Sequence, residues 1–264
     1  MDSKVSPCYY AIREVSEMTG VKPVTLRAWQ RRYNLVQPER TPKGHRLYTE
    51  EHIVLIKEIQ HWLSRGVAIG KVKPLLGTQE VNPQPVMRLD EVQEMVQALT
   101  QLKSQKAQAI LSTVCKEYPL DIVKDQFFEP LLAAINALKV NVKSIASSCL
   151  VTLVSQQFAW MIDANNKAAS KGHCMLVSLE PMESLRTWLK ALELSESGVV
   201  VTTLFGCQDF SKLLDIDELS RVSIFSEHQL TSKQLETIAQ LKQRGVALEV
   251  SEVITTLHFD GGDA

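Results

Sequence analysis

The chain has 264 residues, longer than a typical single domain and enough for two or three. Hydrophobic residues make up 45%, charged residues 22% and aromatics 6%, which suits buried cores and excludes a disordered or fibrous chain. Lys and Arg total 29 against 30 Asp and Glu, and the net charge of −1 taken alone argues against a nucleic-acid partner. That average hides two unlike pieces. Residues 1–76 hold 13 basic and 7 acidic side chains, a net of +6, whereas residues 77–264 hold 16 and 23, a net of −7. A basic head on an acidic body points to a polyanion-binding module carried by a regulatory or assembly module.

No stretch approaches the roughly 18 consecutive apolar residues of a membrane span. The opening Met1-Asp2-Ser3-Lys4-Val5-Ser6-Pro7 lacks the apolar core of a signal peptide. Cys8, Cys115, Cys149, Cys174 and Cys207 are odd in number, widely spaced and form no Cys-x-x-Cys. These features predict a cytoplasmic protein with no membrane partner and no disulfide framework.

In chain order, Ile12, Val15 and Met18 recur at helical spacing, with Gly20 as the stop. Pro23 suits the first turn of a second helix running to Tyr33. Two short helices joined by a turn containing Gly are the helix-turn-helix pattern. Pro38–His45 is a loop, with Pro42 and Lys43-Gly44 as turn formers. Thr49 is the expected N-cap of a long helix that buries Ile53, Ile56, Ile59 and Leu63 and stops at Gly66. Ile69–Leu76 is a further short helix, interrupted at Pro74.

A linker is expected over 77–88. From Leu89 to about Ala169 the chain lacks Gly and carries helical stripes: Val92, Val96 and Leu99; Ile110, Leu111 and Val114; Phe127, Leu131, Ile135 and Leu138; then Ile145 to Met161. Breaks at Lys103-Ser104, Tyr118-Pro119 and Val140-Asn141 predict a four-helix bundle over 89–170. Beyond Gly172 the period changes. Strands are expected at Cys174–Leu179, Gly198–Leu204, Arg221–Phe225 and Val246–Val250, with helices at Met182–Leu194, Phe210–Leu219 and Ser232–Arg244 between them. Such alternation predicts a flavodoxin-like α/β domain with a parallel sheet over 171–264, ending in a frayed tail at Asp260–Ala264.

The head motifs are dense. Tyr10-Ala11-Ile12-Arg13-Glu14-Val15, Thr19-Gly20-Val21, Thr25-Leu26-Arg27-Ala28-Trp29, Pro38-Glu39-Arg40, Gly44-His45-Arg46-Leu47-Tyr48 and Gly66-Val67 closely resemble, in that order, the MerR family of transcriptional regulators. The resemblance covers residues 9–76 and implies an all-α winged helix-turn-helix domain over 1–76. Asn34 departs from the Gly usual after the recognition helix, but Asn tolerates the left-handed conformation needed there. The recognition helix offers Thr25, Arg27, Arg31, Arg32 and Tyr33, and Arg27 and Arg31 share a face at i, i+4. The wing offers Arg40, Lys43, His45, Arg46 and Tyr48; by the resemblance, Arg46 and Tyr48 are the wing residues expected on phosphates. Ile12, Val15, Leu26 and Trp29 read as core, and Arg13, Lys57 and Arg65 as merely exposed.

The body resembles the paired cobalamin-binding domains of light-responsive MerR-type repressors and of methionine synthase. Their Asp/Glu-x-His-x-x-Gly loop reads Glu180-Pro181-Met182-Glu183-Ser184-Leu185 here, with Met182 in place of His and Leu185 in place of Gly. Phe225-Ser226-Glu227-His228 stands where a Gly pair is expected, and Ser170-Lys171 stands where Trp160 calls for Glu-His. The same head on the same degenerate body resembles a MerR subgroup that includes enterobacterial activators of curli and biofilm genes. It implies no cofactor. No His/Cys cluster suggests a metal, and no nucleophile or phosphate-binding motif suggests an enzyme. Asp209, Asp215 and Asp217 read as a solvated face, and Cys115 and Cys149 as packed core. The expected protein is a regulator that binds palindromic double-stranded promoter DNA as a homodimer through residues 89–264, with RNA polymerase as a partner. The alternatives are a sensor gated by cobalamin or another small ligand in the cleft between bundle and sheet, and a body that serves as a protein-interaction platform.

Overall fold

The computed structural model describes residues 8–78 and 88–258. Most of the expected linker and all of the expected C-terminal tail lie outside these residues. The chain divides into two compact units, Met1–Cys149 and Leu150–Ala264, and the division falls inside one long helix.

The first unit opens with strand β1 (Tyr10–Ala11) and helix α1 (Ile12–Thr19), whose start is held by the Glu14 carboxylate accepting the Ala11 N–H. Gly20 ends α1 in the left-handed conformation (φ 72°) and donates to Ser16 O at 2.8 Å. Helix α2 (Pro23–Ala28) continues as a π-helical turn, Trp29–Tyr33, and stops at Asn34, which adopts the expected left-handed φ of 52°. Strands β2 (Glu39–Arg40) and β3 (Arg46–Tyr48) follow, giving an antiparallel sheet in the order β1-β3-β2. The expected all-α head is thus a helical head with a small sheet beneath its wing.

Helix α3 (Glu50–Ser64) is capped by Thr49, which takes the His52 N–H while His52 Nδ1 takes the Thr49 N–H. Ile53, Ile56, Ile59 and Leu63 are buried as the spacing predicts, and Trp62 joins them. Helix α4 (Ile69–Val72) tightens at Pro74 into the 3-10 turn Lys73–Leu75. Met18 corrects the periodicity reading, because it is 50% exposed and Val21, beyond the turn, is fully buried instead.

The helices expected over 89–170 are α5 (Glu91–Thr100), α6 (Ser104–Glu117), α7 (Leu120–Ile122), α8 (Glu129–Asn136) and α9 (Val140–Ala168). A π-helical stretch, Val123–Phe128, joins α7 to α8. Helix α5 packs on α6, α8 and that π-helical stretch, and Val92, Met95, Leu99, Leu111, Val114, Phe127 and Leu131 on these elements are all fully buried. Ile145 is half exposed, a second correction, since Ala146 beside it takes the buried side of α9. By length and composition alone α9 could cross a bilayer, although Thr152, Ser155, Gln156 and Gln157 interrupt its middle.

In the second unit, β4 (His173–Ser178), β5 (Val200–Leu204), β6 (Arg221–Phe225) and β7 (Ala247–Val250) form a parallel sheet in the order β5-β4-β6-β7. Helix α10 (Leu185–Glu196) follows β4, α11 (Ser232–Gln243) follows β6 and α12 (Glu252–His258) follows β7. Alternation along β4 assigns the faces. Ser178 Oγ meets Thr187 Oγ1 of α10 at 2.8 Å, whereas Val177 joins Val222, Ile224, Ile238 and Leu241 in the core beneath α11. His173 is exposed and Cys174 buried, on opposite faces as adjacent strand residues must be. The helix expected over Phe210–Leu219 is only a 3-10 turn, Ser211–Asp215, because Arg244 donates to the Leu214 and Ile216 carbonyls.

Candidate nucleic-acid interface

The recognition helix separates its residues by periodicity. Leu26 and Trp29 are fully buried, and Ala28 nearly so, while Arg27 and Arg31 are exposed on the opposite side. Arg31 Nε donates to the Arg27 carbonyl at 3.4 Å, which lays the two side chains along one edge.

The wing is a hairpin locked at its tip. Thr41 N donates to His45 O at 2.9 Å, Gly44 N to Thr41 O at 2.8 Å, and His45 N to Thr41 Oγ1 at 3.0 Å. Gly44 holds φ 84°, where a side chain is strained, and this lets Lys43 and His45 project from the tip into solvent. Arg40 and Arg46 face each other across the β2–β3 pair. Arg46 Nε also donates to Gln30 Oε1 at 2.7 Å, tying the wing to the recognition helix. Burial and the nearby charges of Arg40, Arg27 and Arg31 hold the Arg46 pKa below the ordinary arginine value. Among the described residues none of these four arginines has a carboxylate partner, so the cluster is an uncompensated positive patch.

The inner side of the same helix is engaged elsewhere in the unit. The Glu117 carboxylate, at the end of α6, accepts from Arg32 Nη1 and from Tyr33 Oη, and the Glu117 carbonyl accepts from Trp29 Nε1 at 2.8 Å. Burial, and then the bond to Glu117, raise the Tyr33 hydroxyl pKa above its ordinary value.

Residues 10–79 match the family described as MerR HTH family regulatory protein. The HTH-type transcriptional regulator MlrA of Escherichia coli (strain K12) is 30% identical over 192 residues, covering 72% of this chain and 76% of that protein. MlrA of Salmonella typhimurium (strain LT2) is 27% identical over 189 residues, covering 72% and 76%. The HTH-type transcriptional repressor CarH of Myxococcus xanthus is 39% identical over 67 residues, which cover 25% of this chain and 22% of CarH. The chain belongs to the MerR family, in its MlrA subgroup. It is a DNA-binding transcriptional regulator, and its likeness to MlrA runs well beyond the helix-turn-helix head.

Within this MerR-type head, the structure brings Arg27, Arg31, Arg40 and Arg46 together and sets Lys43 and His45 at the wing tip. Two residues expected at the interface are buried. Thr25 is fully buried beside Leu26, and its hydroxyl makes no hydrogen bond among the described residues. Tyr48 is 1% exposed, with its ring edge-on to His52 and its hydroxyl making no hydrogen bond among the described residues. Arg32 and Tyr33 lie apart from the arginine cluster, on Glu117. Gln30 and Glu117 were not singled out from the sequence. Gln30 gives no signal beyond its place on the helix. Glu117 does give one: it stands three residues after Val114 on the buried stripe of α6, where a carboxylate requires a cation.

Proposed function

We propose that the chain binds a palindromic promoter site as a homodimer and reads it with Arg27, Arg31, Arg40, Lys43, His45 and Arg46. The observation that carries this reading is the clustering of Arg46 with Arg27, Arg31 and Arg40 without a carboxylate among the described residues. Exposed cations repel one another, and a phosphate backbone between recognition helix and wing relieves that repulsion. One short recognition helix covers too few base pairs for genomic selectivity, which favours two-fold symmetry.

The proposal assigns self-association to residues 89–264, with 1–76 as the DNA-binding module, 77–88 as linker, 89–170 as a four-helix bundle and 171–264 as a flavodoxin-like domain. On α9, Ile145 and Trp160 are 50% and 64% exposed, and large apolar side chains left in water favour a protein partner. RNA polymerase in the cytoplasm is the expected second partner.

The reading needs no cobalamin. Glu180 is 7% exposed, and its Oε1 accepts the Glu227 N–H at 2.9 Å, so the loops after β4 and β6 are pinned together where a ligand of an open parallel sheet would enter. Glu227 is further held by Arg186 at 2.8 Å. These residues do not fit the nucleotide tail of cobalamin, and Met182 lacks the imidazole its position would require.

Footprinting of the full chain over a genomic fragment library tests the proposal. A discrete protected site with two-fold symmetry is expected, with a dimer in analytical ultracentrifugation at micromolar concentration. Uniform, salt-sensitive coverage with no preferred sequence, or a monomer that protects one half-site, would overturn it.

A further inference from the structure

The recognition helix is gripped from behind by a residue far away in sequence. Glu117 is 1% exposed, and a carboxylate so buried is stable only when its charge is neutralised and its oxygens are hydrogen-bonded. Both requirements are met by one element, the π-helical turn Trp29–Tyr33. Arg32 supplies the cation, Tyr33 a hydroxyl donor, and Trp29 fixes the adjoining carbonyl.

The turn makes this possible. A π-turn shifts the side chains after it relative to an α-helix, so Trp29, Arg32 and Tyr33 reach α6 while Arg27 stays on the open side. The Tyr33 ring also lies over Gly70 of α4, 3.5 Å from where a Cβ there would sit. More bonds anchor the same side of the head. Gln126 Nε2 donates to the Leu63 carbonyl at 2.9 Å, Ile69 N to Tyr118 Oη at 3.4 Å, and Lys71 approaches Asp90 at 3.1 Å. The head is therefore docked on α6 and on the helices flanking it.

We infer that Glu117 is a positioning residue for DNA reading: through Arg32 and Tyr33 it fixes the orientation of the recognition helix, so that Arg27 and Arg31 meet base edges in register with the wing. It touches no DNA itself. Its effect falls on sequence discrimination, because base-edge bonds require orientation whereas phosphate contacts tolerate its loss. This inference rests on the proposed reading of Arg27 and Arg31. The two fail separately: a wild-type chain with no preferred site sinks the reading, and a wild-type chain that discriminates normally beside an unaffected Glu117 variant sinks the inference alone.

The test uses the full chain and the site recovered by footprinting. Affinity for that site and for scrambled DNA is measured for Glu117→Ala, Glu117→Gln and Tyr33→Phe, together with amide hydrogen exchange across 23–34. Glu117→Ala should lower the ratio of cognate to scrambled affinity by about fivefold or more, the lower end of coupling between distinct elements. Exchange across 23–34 should quicken, and scrambled-DNA affinity should hold. Glu117→Gln, which keeps an oxygen acceptor for Tyr33, should restore part of the ratio. Where Glu117→Ala fails to fold, Glu117→Gln and Tyr33→Phe carry the same test. An unchanged ratio in the folded variants overturns the inference. So does tighter cognate binding by Glu117→Gln, which would make Glu117 a lock that withholds Arg32 from DNA.

Discussion

In the head, Arg27, Arg31, Arg40 and Arg46 crowd one surface with no carboxylate partner among the described residues. In the C-terminal unit, Arg186, Lys190, Lys212, Lys233 and Arg244 each lie against an acid. Both surfaces are rich in charge, but only in the first do clustered cations lack a carboxylate partner among the described residues. Paired surface charges add about 0–1 kcal/mol each and mark nothing beyond a solvated face. An uncompensated cluster on a rigid frame costs stability in the free protein and is relieved by an anionic partner. The sequence divides its charge between its halves, +6 and −7, and in the structure part of the positive excess gathers at Arg27, Arg31, Arg40 and Arg46.

Replacing Arg27 by Ala tests that difference most severely. A base-edge contact is worth about 1–3 kcal/mol, so specific affinity should fall roughly 5- to 150-fold, with a much smaller change on random DNA. Lys57→Ala, on the exposed side of α3, is the control and should change either affinity little. Equal losses on cognate and random DNA at Arg27 would reduce it to a phosphate contact. Gln30→Ala should have a smaller effect. It removes the 2.7 Å bond that ties Arg46 to the recognition helix, a part-buried charge-assisted bond, and should lower specific affinity a few-fold by titration. Lys43→Ala should barely move affinity at one salt concentration. Its signature is a salt slope reduced by about one, read from binding isotherms at several ionic strengths.

How much of this was legible in the sequence follows from the range of the interactions. Short apolar runs marked all four strands of the C-terminal sheet, with Arg221–Phe225 matched residue for residue, because strand burial is written in a few adjacent side chains. Asn34 was legible for the same reason, since its left-handed turn is a local property. Phe210–Leu219 misled because its composition suits a helix, whereas the Leu214 and Ile216 carbonyls are claimed by Arg244 from the far end of α11. The arginines of the recognition helix were legible as a group. That two of the helix's candidates are tied elsewhere was not, because Arg32 and Tyr33 are held by a carboxylate more than eighty residues away. The burial of Thr25 and Tyr48 was not legible either: their hydroxyls suit a phosphate, but they occupy core positions.

The paired surface of the second unit can be tested through Asp209, where the expected effect is smallest. Its carboxylate accepts from Lys233 Nζ at 2.6 Å and from Ser211 N at 3.0 Å. The bond from Lys233 first, and those from Ser211 after it, hold the Asp209 pKa well below the ordinary carboxylate value. A depressed folded-state pKa stabilises the ionised form, so this contribution is fully present above the unfolded-state value of about 4. It is lost as pH falls from there through the folded-state value. Asp209→Asn removes the dependence, so wild type should melt slightly above the variant at pH 7, and the gap should narrow as the pH is lowered below 4. DNA affinity should not fall with the same substitution, because the neutral Asp209–Lys233 pair offers a phosphate no net attraction to lose. A loss of affinity in Asp209→Asn would show that paired charges too take part in recognition, and the contrast between the two surfaces would fall.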